Sequence, residues 1–60
     1  MLAIGTRVRA ENGAEGVVIK TPPGYWEPKT IPPEFIVFVA WDHLDGGWTP
    51  EDYALLEARS

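Results

Sequence analysis

Phe35-Ile36-Val37-Phe38-Val39-Ala40-Trp41 is apolar at every position, and this run constrains the chain more than any other feature. It has the length and the β-branched and aromatic content of a strand. Strand side chains alternate between two faces, so Phe35, Val37, Val39 and Trp41 share one face and Ile36, Phe38 and Ala40 the other. A strand of a small solvated sheet normally turns a polar face to water. Here both faces need cover. Either the proline-rich loop at residues 21–34 folds back over Ile36 and Phe38, or a second subunit or a partner covers them.

The first strand alternates as a half-buried strand does. Gly5 opens Thr6-Arg7-Val8-Arg9-Ala10, in which Val8 faces the core and Arg7 and Arg9 face outward. Asn12-Gly13 is a turn signal, because both residues tolerate positive φ. Gly16-Val17-Val18-Ile19-Lys20 is the second strand, with Val17 and Ile19 on one face and Val18 on the other. Residues 21–34 hold five of the six prolines. Each fixes φ and removes a donor, so this stretch is neither a central strand nor a helix. It reads as a long ordered loop carrying Tyr25 and Trp26, stiffened by its prolines.

After Trp41, Asp42 to Gly47 forms a turn with Asp45-Gly46 at its tip, and Gly47-Trp48-Thr49 is a short fourth strand. Thr49-Pro50-Glu51-Asp52 carries a helix-start pattern of Thr cap, proline and first-turn acids. The expectation is one 3₁₀ turn there. A last strand over residues 55–58 then closes against the first. The alternative is a two-turn helix over residues 50–59, since Ala54 to Arg59 are good helix formers.

Sixty residues make a single domain, residues 1–60. A chain this short buries only about 60% of its unfolded surface. It has no cysteine and one histidine, which excludes disulfides, thiolate zinc sites and a multi-histidine metal site within one chain. Aromatic packing, oligomerisation or both must supply the missing stability. The net charge of −4 is uneven: residues 1–30 sum to +1 and residues 31–60 to −5. That balance argues against broad phosphate-backbone binding and suits a basic partner or plain solubility. No run approaches the roughly 18 apolar residues of a membrane span, and no leader pattern opens the chain. A cytoplasmic protein is the expectation.

Four short motifs in order carry a resemblance. Gly5-Thr6-Arg7-Val8, Gly16-Val17-Val18, Val39-Ala40-Trp41-Asp42 and Pro50-Glu51-Asp52 resemble the opening strand, second strand, third-strand end and final turn of SH3-like barrels of the KOW, Tudor and chromo-barrel type. The resemblance implies an all-β, five-stranded SH3-like barrel with a long proline-rich loop and a short 3₁₀ turn before the last strand. Such barrels are mostly binding or assembly modules. Ile4 to Arg9 also resembles the opening strand of type II dihydrofolate reductases, which are tetramers of tiny SH3-like subunits. Their Val-Gln-Ile-Tyr segment has no counterpart near Gly47-Trp48-Thr49-Pro50, so that activity is not carried over.

Chemistry-bearing clusters are sparse. His43 with Asp42 and Asp45 reads as a solvated turn without the supporting shell of an acid–base or metal site. No phosphate-cradling glycine loop, cysteine nucleophile or Ser-His-Asp set of favoured spacing is present, and neither an enzyme nor a cofactor is expected. Tyr25, Trp26 and Trp48, with Asp45 and Glu51 at the edge, suit a basic or proline-rich peptide. Trp41 and Tyr53 read as packing residues. Ile36 and Phe38 are the candidate oligomer interface. The alternative function is a nucleic-acid accessory role on the Arg7, Arg9 and Lys20 face, beside Trp26.

Overall fold

The computed structural model describes residues 2–59. Five strands and two single 3₁₀ turns follow one another along the chain. They are β1 (Arg7–Arg9), β2 (Glu15–Ile19), a turn at Pro33–Phe35, β3 (Ile36–Trp41), β4 (Trp48–Asp52), a turn at Tyr53–Leu55 and β5 (Glu57–Arg59). All pairings are antiparallel, in the order β4-β3-β2-β1-β5. This all-β arrangement is consistent with an SH3-like fold. The last strand pairs with the first, as expected, and the sheet remains open, with β4 and β5 at its two edges.

The β1–β2 hairpin turns where Asn12-Gly13 predicts it. Gly13 takes φ +90°, and the Asn12 side-chain oxygen accepts from the Ala14 amide at 3.0 Å. The register sets Val8 opposite Gly16, Val18 opposite Val39, and Gly16 opposite Trp41. Val8, Val18, Val39 and Trp41 therefore fall on one face and form the core, with Leu2, Ala10, Ala14, Val37 and Leu56 packed around it. Gly16 sits under Trp41, and a Cβ there would stand 2.5 Å from the Ala40 carbonyl oxygen.

Three expectations need correction. Thr49-Pro50-Glu51-Asp52 is not a 3₁₀ start but part of β4, with Pro50 opposite Phe38. A proline is tolerated because β4 is an edge strand, where a missing donor costs no internal ladder bond. The 3₁₀ turn begins one element later and is capped by Asp52, whose carboxylate accepts from the Ala54 amide at 2.9 Å. The last strand is Glu57–Arg59 rather than 55–58, and no α-helix forms over 50–59. A 3₁₀ turn at Pro33–Phe35 also begins in the stretch from which helix was excluded and takes Phe35 out of the third strand, which starts at Ile36. Proline favours the first positions of such a turn, where its donor is not needed.

Candidate functional site

The second face of β3 carries the most distinctive cluster. Phe38 is only 6% exposed although it points away from the core. Tyr25, from the segment between β2 and β3, meets it edge-on at 5.5 Å between ring centroids, and Trp48 of β4 does the same at 5.6 Å. These are the T-shaped geometries that aromatic quadrupoles favour. Phe38 is thus covered from within the chain and offers almost no surface to a second subunit. Ile36 stays half-buried. It lines a groove of about 230 Å³ with Ile19, Lys20, Glu34, Phe38 and Tyr53. That lies below the ~300 Å³ at which small-molecule pockets usually begin. Tyr53 packs on Phe35 at 5.2 Å.

Tyr25 and Trp26 are 49% and 57% exposed, and Trp48 is half-buried at the flank of Phe38. Asp45 is exposed in the turn after β3. Glu51 does not join this group. Alternation along β4 puts Trp48, Pro50 and Asp52 on one face and Thr49 and Glu51 on the other. There the buried Trp41 indole Nε1 donates to Thr49 Oγ1 at 2.6 Å, and that hydroxyl donates to Glu51 Oε2 at 2.6 Å. Glu51 is thereby part of the support for the core tryptophan. Its run of polar partners was absent from a reading that ended the strand at Thr49. Replacing Thr49 by valine keeps the shape and leaves the indole N–H unpaired, a loss of about 1–3 kcal/mol. Urea unfolding checks this, and an unchanged midpoint would show that the hydroxyl does not hold Trp41.

The arginine face is a compensated network. Arg7 donates to both Asp42 oxygens, at 3.0 and 2.7 Å, and lies 3.5 Å from Glu15, which also meets Arg9 at 3.5 Å. Lys20 is exposed at the end of β2. The hydrogen bonds from Arg7, together with its charge, hold the Asp42 carboxyl below the ordinary aspartate value. The same contacts raise Arg7 further. Since the folded-state value of Asp42 is the lower one, its contribution is present above the unfolded aspartate pKa and is lost as pH falls through the folded value. The melting temperature of the wild type should therefore drop toward that of Asp42→Asn below about pH 4. Because the pair is exposed, the gap between the two proteins should also shrink with salt. A gap that does not narrow as pH falls below the unfolded aspartate value would contradict this.

His43 is exposed, its ring 6.1 Å from that of Trp41. Among the described residues, no group of three or more His, Asp or Glu side chains is placed to hold a metal, and no helix is long and apolar enough to cross a membrane. No protein-family model, curated protein or solved structure matches the chain.

Proposed function

We propose that this protein is a non-catalytic interaction module of the SH3-like kind, whose ligand surface is the aromatic face formed by Tyr25 and Trp48 over Phe38, extended by the exposed Trp26 next to Tyr25 in the chain. The observation that carries the reading is the pinning of two partly exposed rings against one buried ring. Rings held this way lose little rotamer freedom when a ligand lands on them. The groove beside them is shallow, which suits an extended peptide rather than a small metabolite. A chain of net charge −4, with Asp45, Asp52 and Glu34 among its exposed or half-exposed acids, favours a basic or proline-rich segment. A nucleic-acid role through Arg7, Arg9 and Lys20 is the weaker alternative, because two of these three cations already face carboxylates.

Trp26→Ala tests the reading. An exposed side chain away from the core should change stability by no more than about 0.5 kcal/mol. Binding to a proline- and arginine-containing decapeptide, followed by tryptophan fluorescence of Trp48, should weaken by at least about tenfold, which corresponds to 1.4 kcal/mol. Unchanged affinity in a folded variant would remove Trp26 from the ligand surface. Affinity for an oligonucleotide that collapses with added salt would favour the alternative.

A further inference from the structure

We propose that β5 is a homodimerisation edge, at which two copies pair antiparallel about a two-fold axis through Ala58. That arrangement sets Glu57 of each chain opposite Arg59 of the partner subunit. It concerns a different surface from the aromatic face and does not depend on it.

Three observations lead to this reading. First, Glu57, Ala58 and Arg59 are all exposed, although Ala58 lies opposite the fully buried Val8. The core thus ends abruptly at β1, and β5 stands outside it with one side unpaired in the sheet. Second, the internal register leaves a charge conflict. Arg59 lies opposite Arg7, and like charges directly across strands repel. Arg7 is already engaged by Asp42 and Glu15, while neither Glu57 nor Arg59 joins an ion pair among the described residues. Third, the sequence Glu57-Ala58-Arg59 is complementary to itself only when reversed. Antiparallel pairing centred on Ala58 opposes acid to base twice, on the same face of the sheet as Arg7 and Arg9. A parallel pairing would oppose acid to acid and base to base.

The resulting interface is isologous, as two-fold dimers require. A three-residue edge buries less than a standard stable interface, so the dimer forms in a concentration-dependent way and weakens as salt screens its charge pairs.

Sedimentation velocity of the full chain over rising concentration, at low salt, tests the proposal. The wild type should shift from monomer to dimer. Glu57→Arg and Arg59→Glu should each lower the association constant by at least tenfold. An equimolar mixture of the two should restore association, because the mixed pair again opposes acid to base at both positions. Arg59→Glu also replaces the like-charged Arg7–Arg59 juxtaposition with an opposite one. Its melting temperature should therefore hold or rise while its dimer is lost, which general damage to the fold would not produce. This second reading keeps the test decisive if Glu57→Arg, placed beside Arg9, does not fold. A wild type that stays monomeric up to millimolar concentration would overturn the proposal. So would an Arg59→Glu chain that dimerises like the wild type, or two folded variants whose mixture stays monomeric.

Discussion

Phe38→Asp should leave the chain unfolded, with no cooperative thermal transition by circular dichroism. The side chain is held between Tyr25 and Trp48 and is almost fully buried. Removing a buried phenylalanine costs about 3–5 kcal/mol. A 60-residue chain has a total stability of roughly 3–9 kcal/mol at the usual stability per residue. Placing a carboxylate there adds the cost of burying a charge with no partner. Phe38→Leu keeps an apolar group in the site and should fold, with stability lowered by about 1–2 kcal/mol. The pair of variants separates two roles for the ring. If Phe38→Asp stayed folded and lost only self-association, the ring would be serving a subunit contact, and its cover by Tyr25 and Trp48 would count for little.

Gly16→Ala should cost about 3 kcal/mol, the upper part of the range for overpacking a tight core, read as a lower urea midpoint with unchanged slope. The added methyl would meet the Ala40 carbonyl oxygen at 2.5 Å, Val39 Cγ1 at 2.8 Å and Trp41 Cε3 at 3.0 Å. A flexible side chain can move aside, but a backbone oxygen in the centre of a sheet moves only with its strand. Gly16 pairs with both Val8 and Trp41, so relief would shift β2 against β1 or β3. The glycine leaves room for the indole of Trp41, whose N–H donates to Thr49. Gly16→Ala should therefore also alter the tryptophan emission, and an unchanged spectrum with an unchanged midpoint would show that the strands have room to spare.

The first strand was legible because alternation with Arg7 and Arg9 fixes Val8 as its inward residue, and the next two were legible as strands from their β-branched and aromatic content, their inward faces being set by the register. Val8, Val18 and Val39 meet where alternation puts them. The fourth strand was not, and the reason is chemical ambiguity at Thr49-Pro50. A threonine followed by proline and two acids has the same residues as a capped helix start, and only sheet position distinguishes an edge strand from it. Ending the strand too early hid its alternation and placed Glu51 with Trp48, when the two point to opposite faces. The cover over Phe38 was legible as a choice between the proline-rich loop and another chain. Sequence shows that both faces of β3 are apolar, but whether Tyr25 or another chain meets that need depends on the path of residues 20–32, which local propensity does not determine. The particular partners of the arginine face were not legible for a related reason. Asp42 is 35 positions from Arg7, and only the β2–β3 pairing brings it alongside.

Pro50 has a consequence for the valence of the sheet. An open sheet has two ends, and a protein able to add a neighbour at both would grow without limit into a ribbon. In β4 the imino nitrogen has no hydrogen to offer, so a strand arriving at that end finds an interrupted row of donors. The sheet is left with one serviceable end, and a body with one sticky end stops growing at two.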